Sequence, residues 1–365
     1  MAIDGAHLQN GQIKMNNTKL SLKPFGKTGL TVPSIIYGTS FMGNLYQELP
    51  EEVKLQIMQQ WFEVSESTPM IDCAGKYGAG LALEVIGAGL KKLGVDKDDI
   101  IISNKLGWYR IPLTTGEPTF EPGAWVNLKY DAIQKISYSG ILECWNQGCE
   151  LLGGYYKPQV VSVHDPDEYL FAATDATDRT KRVTDILEAY KALFELKEKG
   201  EVKAVGIGAK DWLTIKELYD HVKFDWVMFA NKLTIYHHPP EIIEFVERIN
   251  ADGVGIINSA IFNAGFLTGG EFFDYRKIDP TSAEDHKLLA WRETFFAVCK
   301  KYNVSPGDAC LKFALAMPQV NAVALNPSKP ERIRRNVDVL AAGLPSGFWE
   351  ELKDQKIIGE HFKYL

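Results

Sequence analysis

The sequence lacks any apolar run near the ~18 residues that a membrane-spanning helix requires. It also lacks the apolar stretch of a secretory signal near its start. We therefore expect a cytoplasmic protein with no membrane partner. Residues 1–18 hold few large apolar side chains, and we expect them to form a flexible leader before a single domain over residues 19–365.

Cysteine is scarce, with five among 365 residues. The five form no CxxC pair and have no histidine at ligand spacing, so they predict neither a disulfide framework nor a zinc site. We expect buried free thiols, as in proteins of a reducing compartment, and no metal centre.

Basic residues are outnumbered, because 40 Lys and Arg face 47 Asp and Glu and leave a net charge of −7. This balance argues against nucleic acid as the main partner. We expect a small-molecule substrate instead, and a local basic pocket can still hold a phosphorylated ligand. With 45% hydrophobic residues, the chain has the apolar side chains for a large core.

Short apolar runs alternate with helical patterns along the chain. Most runs are continuously apolar, which is typical of parallel strands covered by helices. Eight such runs without a break in composition predict an α/β fold, a (β/α)8 TIM barrel, and an earlier pair, Leu20–Phe25 and Leu30–Val32, predicts an N-terminal β-hairpin that closes its floor. The predicted strands are Ser34–Phe41, Met70–Ala74, Ile100–Trp108, Val160–Asp165, Lys203–Lys210, Trp226–Lys232, Gly255–Ile261 and Ala322–Asn326. The predicted helices include Glu51–Ser65, Leu81–Leu93, Asp185–Lys199, Pro239–Asn250 and Ala283–Tyr302.

Four polar residues lie at or just beyond the ends of the second, third and fourth predicted barrel strands: Asp72, Tyr77, Lys105 and His164. A lone charge in a buried strand is costly, so Asp72 and Lys105 are expected to pair across neighbouring strands. The alternative is a structural ion pair with an unrelated core histidine. The joint occurrence of all four at one rim favours a catalytic site.

The chemistry of such a site centres on the phenol of Tyr77, whose ordinary pKa near 10 is high for proton transfer at neutral pH. The Lys105 ammonium favours the phenolate, and Asp72 keeps that lysine charged. Tyr77 can then act as general acid toward a carbonyl or as base toward a hydroxyl. We expect His164 to orient the same substrate oxygen and Trp108 to pack against the substrate.

A phosphate-binding site is predicted after the eighth strand. Neither Gly78-Ala79-Gly80 nor Gly206-Ile207-Gly208 completes a dinucleotide fingerprint. The strand ending at Asn326 is followed by a helix start at which Ser328 and Glu331 have capping-box spacing, and helix N-termini bind phosphate. Lys329, Arg332, Arg334 and Arg335 add positive charge there. The alternative is a solvated basic helix face.

The order Asp72, Tyr77-Gly78, Lys105 and His164 resembles the Asp–Tyr–Lys–His tetrad of the aldo-keto reductases, at matching strands. The opening segment Phe25–Val32 is similar to the start of that family's chains. The resemblance extends from about Leu20 to Leu340. It implies the barrel fold, a nicotinamide cofactor and Tyr77 as the residue that moves the proton.

Within the family, two segments, Gly43–Tyr46 and His164–Tyr169, are similar to the aldose 1-dehydrogenase branch, which includes L-fucose dehydrogenase. The resemblance thus implies an enzyme of carbohydrate metabolism that transfers a hydride between NAD(P) and an aldose, oxidised at its anomeric carbon to a lactone. A general NADPH-dependent aldehyde or ketone reductase is the alternative. A cofactor-binding accessory protein like the potassium-channel beta subunits is a second one.

The resemblance also implies the residues that hold the cofactor. Arg332 suits a 2′-phosphate and favours NADP over NAD. Two positions depart from the family pattern, because Gly208-Ala209 stands where many relatives have Ser-Asn, and Asn231 replaces a glutamine. The implied cofactor residues are Gly38, Thr39, Asn231, Ser259, Asn263, Gly265, Leu267, Ser328, Arg332 and Asn336.

Overall fold

A computed structural model describes Leu20, residues 22–66 and residues 68–365. The predicted leader, residues 1–18, lies outside these residues. The strands, in chain order, are β1 (Leu22–Pro24), β2 (Thr31–Pro33), β3 (Ile35–Gly38), β4 (Met70–Ala74), β5 (Ile101–Leu106), β6 (Trp108–Pro112), β7 (Tyr130–Gln134), β8 (Val160–His164), β9 (Ala204–Ala209), β10 (Trp226–Ala230), β11 (Gly255–Ser259), β12 (Phe272–Phe273), β13 (Arg276–Lys277) and β14 (Ala322–Leu325).

Eight strands close into a parallel barrel in the order β3-β4-β5-β8-β9-β10-β11-β14, with β14 pairing back to β3. All eight were predicted from their apolar runs. The structure therefore confirms the (β/α)8 TIM barrel. Because every strand runs the same way, the carboxyl ends of all eight meet at one mouth, where sites of this fold are built.

Helices cover the barrel between these strands. They are α1 (Glu51–Val64), α2 (Leu81–Lys92), α3 (Tyr138–Leu151), α4 (Pro166–Phe171), α5 (Ala176–Glu198), α6 (Trp212–Tyr219), α7 (Pro240–Ala251), α8 (Ala283–Lys301), α9 (Pro306–Ala314), α10 (Pro330–Ala341) and α11 (Phe348–Asp354). Short 3-10 turns occur at Ser40–Gly43, Lys97–Asp99 and Phe266–Thr268.

The hairpin β1–β2 closes the amino-terminal end of the barrel, as predicted. Phe25 and Val32 from the hairpin are fully buried. They pack with residues near the starts of the barrel strands, among them Met70 and Trp226. The floor is therefore a dry apolar plug, and the polar residues of the strands lie toward the other end.

Three long connections contain more regular structure than their polar sequences predicted. The segment after β5 forms the antiparallel hairpin β6–β7, and Trp108 begins that hairpin rather than ending a barrel strand. Helix α5 begins at Ala176, nine residues before its predicted start, because Asp175 caps it by accepting from the N–H groups of Thr177 and Asp178. The exposed first turns of α5 lack the apolar period that marks a helix in sequence. The connection after β11 holds β12–β13.

All five cysteines are free thiols, four buried and Cys149 half-buried. Over the described residues, no helix is both long enough and apolar enough to cross a bilayer.

Candidate active site

Among the described residues, most of those other than glycine that have a left-handed backbone lie at the mouth of the barrel. Of the residues other than glycine with a left-handed backbone, many follow the carboxyl ends of the strands, including Asp165 after β8, Asn231 after β10 and Asn263 after β11. Such conformations cost about 1–3 kcal/mol each and collect at functional sites. The carboxyl end of the barrel is therefore the candidate site.

Asp72 and Lys105 form the predicted ion pair. The Lys105 ammonium binds Asp72 Oδ2 directly, and both side chains are only 4% exposed. Asp72 Oδ1 also accepts from the Ser103 hydroxyl at 3.2 Å, and the Lys105 amine donates to the Cys73 carbonyl at 3.3 Å. Every contact comes from β4 or β5, whose register sets Ala74 opposite Lys105.

Tyr77 lies beside this pair, in the turn that joins β4 to α2. The Lys105 amine is 4.8 Å from the centre of its ring. The backbone of Tyr77 is held by a close approach of two glycines. A Cβ on Gly43 would lie 2.7 Å from the Tyr77 carbonyl carbon, and one on Gly78 (φ +62°) would lie 2.3 Å from the Gly43 oxygen. Only glycine fits at either position.

Burial controls the ionisation of Tyr77. Loss of solvent raises the pKa of the phenol well above its ordinary value, and the nearby Asp72 carboxylate raises it further. Lys105 lowers this pKa, as predicted, but does not offset the burial. For Lys105 itself, burial lowers the pKa, but the contributions of Asp72 and Tyr77 together outweigh burial and raise it. At neutral pH the site therefore holds an ammonium and a neutral phenol.

His164 ends β8 and faces the phenol. Its ring meets the Tyr77 ring edge-on, with 5.7 Å between their centres. Burial first, and then the charges of Lys105 and Lys76, lower the pKa of His164 well below its ordinary value. The imidazole is therefore neutral. Its Nδ1 is buried and has no hydrogen-bond partner within the described part of the chain, which leaves it available to a ligand.

Three aromatic rings border the phenol. Trp125 lies 6.1 Å from the ring of Tyr77, and Phe120 bridges Trp125 and Trp108 at 6.1 and 5.7 Å. Phe120 and Trp125 belong to the connection between β6 and β7. They were not predicted, because an irregular connection gives no periodic signal that places a side chain over the site.

A partly buried cluster of charges lies beside Tyr77 and His164 and was also missed. Lys76, the residue before Tyr77, is 3% exposed and contacts three carboxylates: Glu121 at 2.8 Å, Asp165 at 3.2 Å and Glu168 at 3.0 Å. Lys210 adds a second amine on Glu168. The sequence could have indicated this cluster, because Lys76 directly precedes Tyr77 and Asp165 directly follows His164.

Three asparagines with unsatisfied amide oxygens line the opposite half of the mouth, after β10, β11 and β14. The Oδ1 atoms of Asn231, Asn263 and Asn326 are buried without a hydrogen-bond partner in the described ranges. A buried acceptor without a partner costs about 1–3 kcal/mol, so these atoms fit a bound polar ligand such as a dinucleotide. Asn326, which also bonds the Ser40 hydroxyl, was not among the predicted cofactor residues.

Several predicted cofactor residues make hydrogen bonds or packing contacts with other residues of the protein. The hydroxyl of Thr39 donates to the Asp72 carbonyl at 2.9 Å, and that of Ser259 donates to the Phe229 carbonyl at 3.0 Å. Leu267 is fully buried in the core. Gly38 contacts Asn326, since a Cβ on it would lie 3.2 Å from the Asn326 Cβ.

The loop after β11 is tied down across the mouth. Asn263 donates to Asp274 at 2.8 Å, and Lys232 binds the same carboxylate at 3.2 Å. Gly265 has φ +92°, which favours glycine at this turn. The loop therefore has a fixed path beside the unsatisfied asparagines.

The predicted capping box at the start of α10 is absent. Lys329 occupies the N-cap, and no side chain caps the helix. Pro330 at the first helical position shifts the start by one residue, so that Ser328 is not the N-cap and Glu331 is not the third residue of the helix. Ser328 and Asn336 are half-buried, whereas Arg332 is exposed. Arg335 pairs with Asp308 at 3.0 Å, so the basic charge is partly neutralised.

Residues 34–356 match the family described as the Aldo/keto reductase family. The chain belongs to the aldo-keto reductase family. The resemblance drawn from the tetrad is thereby confirmed, and the protein is an oxidoreductase of a family that uses nicotinamide cofactors. Among the described residues, no three His, Cys, Asp or Glu side chains are grouped so as to hold a metal ion.

Three relatives of this aldo-keto reductase are distant in sequence but match nearly its full length. A pyridoxal 4-dehydrogenase of Microbacterium luteolum is 24% identical over 92% of this chain and 97% of the relative. A D-threo-aldose 1-dehydrogenase of a Pseudomonas species is 23% identical over 90% and 96%. An L-galactose dehydrogenase of Arabidopsis thaliana is 21% identical over 88% of each chain. The holo form of an aldo-keto reductase from Bacillus halodurans has a TM-score of 0.66 at 19% identity, covering 93% of this chain and 97% of its own, which shows the shared fold.

Proposed function

We propose that this aldo-keto reductase is an aldose 1-dehydrogenase that oxidises the anomeric carbon of a sugar to a lactone. The observation that carries the proposal is the convergence of Tyr77, Lys105, Asp72 and His164 at one side of the barrel mouth. The choice of a sugar is supported by two relatives whose names specify aldoses, D-threo-aldose and L-galactose.

The proposed reaction removes a hydride and a proton from the hemiacetal carbon and its hydroxyl. A bound nicotinamide supplies the chemistry of the hydride acceptor. The phenol of Tyr77 first loses its own proton to solvent, and the phenolate oxygen then takes the hydroxyl proton while the carbonyl of the lactone forms. Lys105 stabilises the phenolate, and Asp72 keeps Lys105 charged. His164 is neutral and donates a hydrogen bond that orients the reacting oxygen.

For the cofactor, we propose that Asn231, Asn263 and Asn326 meet the dinucleotide with their unsatisfied amide oxygens. Ser328 lies just before α10, Arg332 and Asn336 lie within its first two turns, and the three would hold the adenosine end of the dinucleotide. The exposed guanidinium of Arg332 can pair with a 2′-phosphate, which favours NADP over NAD. We expect Arg332→Met to raise the KM for NADP about tenfold, the loss of one charge-assisted contact, with little change for NAD.

The test measures how fast the purified protein turns over a panel of substrates with NAD and with NADP. Turnover is followed through the absorbance of the reduced cofactor. The panel contains aldoses, pyridoxal and aromatic aldehydes, each in the direction that its chemistry permits. Oxidation of an aldose with the highest kcat/KM in the panel is the expected result. Turnover of aromatic aldehydes with none of sugars would replace the proposal by a general carbonyl reductase. Tight cofactor binding without turnover of any compound would replace it by an accessory role.

A further inference from the structure

The charged side chains near Tyr77 form one side of the barrel mouth, next to the proposed catalytic groups. We define the charged wall as Lys76, Glu121, Asp165, Glu168 and Lys210. Lys76 touches all three carboxylates within 3.2 Å, and Lys210 binds Glu168 and lies 3.9 Å from Asp165. The residues come from four separate segments, the ends of β4, β8 and β9 and the connection between β6 and β7.

The charged wall is continuous with the groups that we assign to catalysis. Asp165 Oδ2 lies 3.6 Å from Nε2 of His164. The Lys76 amine lies 5.0 Å from the centre of the Trp108 ring. Glu121 accepts from the indole of Trp125, which packs on Tyr77. A substrate held between Tyr77 and these rings therefore meets the wall.

The wall contains more negative charge than its lysines require. One well-placed carboxylate satisfies a buried ammonium, so the other carboxylates, which are partly exposed, can accept hydrogen bonds from a ligand. Here three carboxylates face two amines, which leaves one net negative charge. Burial lowers the pKa of Lys76, but Asp165, Glu121 and Glu168 more than offset this and raise it, so the amine stays charged.

Two features indicate that a ligand completes this wall. Glu121 and Glu168 keep 36% and 34% of their side chains exposed at the mouth, where they can accept hydrogen bonds from a substrate. Two buried nitrogens at its edge, Nδ1 of His164 and Nε1 of Trp108, have no hydrogen-bond partner in the part of the chain that the structure describes. Hydroxyl groups would satisfy both the acceptors and the nitrogens.

We propose that the charged wall is the specificity determinant of this enzyme, which admits uncharged hydroxylated substrates and excludes those with a carboxylate or phosphate. Lys76 is its positioning residue, because it holds the three carboxylates together. The part of the proposal that concerns hydroxyl groups rests on the proposed function, whereas the exclusion of anions holds for any carbonyl substrate of the site.

The test makes the charged wall less negative in one variant and more negative in another. Glu121→Gln removes a negative charge, and Lys210→Gln removes a positive one. The matched controls are Glu201→Gln and Lys157→Gln, a surface pair 2.9 Å apart that precedes β9 and β8 at the opposite end of the barrel. Each variant reduces 4-nitrobenzaldehyde, which is neutral, and 4-carboxybenzaldehyde, which is anionic, and the ratio of the two kcat/KM values is compared.

We expect the wild type to prefer the neutral aldehyde. Glu121→Gln should lower the neutral-to-anionic ratio by about fivefold and Lys210→Gln should raise it by about as much, as expected for one unit charge at the partly screened edge of a site. The controls should leave the ratio as in the wild type. An unchanged ratio in both variants, or a shift of both in the same direction, would overturn the proposal.

Two further outcomes separate this inference from the proposed function. Shifted ratios in an enzyme that oxidises no aldose would refute the aldose assignment and leave the charged wall in place. If neither aldehyde turns over, dissociation constants of both compounds from quenching of tryptophan fluorescence take the place of kcat/KM. The same opposite shifts are then expected, and equal constants across the variants would refute the wall.

Discussion

Replacement of Asp72 by Asn tests whether the free energy of unfolding depends on both partners of the buried ion pair beside Tyr77. Asn has nearly the same shape and can still accept from the Ser103 hydroxyl, so the change removes charge with little loss of packing. What remains is the Lys105 ammonium, 4% exposed, with a carbonyl of Cys73 at 3.3 Å as its other acceptor.

The magnitude follows from that burial. Removing one partner of a buried pair costs about 3–5 kcal/mol, because the other charge is left uncompensated. We expect Asp72→Asn to lower the free energy of unfolding by about this amount at neutral pH. If Lys105 is also replaced by Met, no charge is left, and we expect the double variant to be at least about 2 kcal/mol more stable than the sum of the two single changes predicts.

The assay is urea unfolding, followed by circular dichroism, of the wild type, both single variants and the double variant. Asp98→Asn is the matched control, because its partner Lys97 is exposed and surface pairs contribute about 0–1 kcal/mol. A loss below about 1 kcal/mol for Asp72→Asn, or single losses that simply add, would refute the account of a dehydrated pair.

Three further predictions concern proton transfer, backbone packing and pH. Burial raises the pKa of Tyr77, so alcohol oxidation, which needs the phenolate, should accelerate as the pH rises from 6 to 10. Aldehyde reduction needs the neutral phenol and should not accelerate. Parallel pH profiles of the two rates would contradict the assignment. Gly43→Ala sets a Cβ 2.7 Å from the Tyr77 backbone and should lower kcat at least about tenfold with cofactor affinity retained; an unchanged kcat would show that the turn yields freely. Burial, and then the charge of Asp165, raises the pKa of Asp167 to about 6, so the folded state holds its proton more tightly than the unfolded state and loses stability as the pH rises through about 6. The stability of Asp167→Asn relative to wild type should therefore grow by up to about 3 kcal/mol between pH 4 and pH 7, and a constant difference would contradict the shift.

The barrel and its tetrad could be predicted from the sequence because both depend on strands. Eight apolar runs give the strands, and parallel pairing brings their carboxyl ends to one rim. Asp72, Lys105 and His164 lie within or at the end of such runs, so their approach follows from the topology alone. Tyr77 follows a strand closely enough to share their position.

The sequence could not predict the paths of the connections, the extent of burial of Tyr77 or the start of α10. Phe120 and Trp125 reach the site through the connection between β6 and β7, whose path no local pattern specifies. The elevated pKa of Tyr77 depends on how completely the phenol is buried, which spacing along the chain does not give. The capping box at Ser328 failed because Pro330 is stable at the first helical position and moves the helix start by one residue.

The most direct measurement of the central claim is the steady-state rate of Tyr77→Phe beside its affinity for the nicotinamide cofactor. The variant loses one oxygen and keeps the ring that packs on Trp125 and under the Lys105 amine. If the phenol moves the proton, kcat should fall at least about 100-fold in both directions while the dissociation constant of the cofactor stays within about threefold of wild type. A variant that keeps more than a tenth of the wild-type kcat would show that another group transfers the proton.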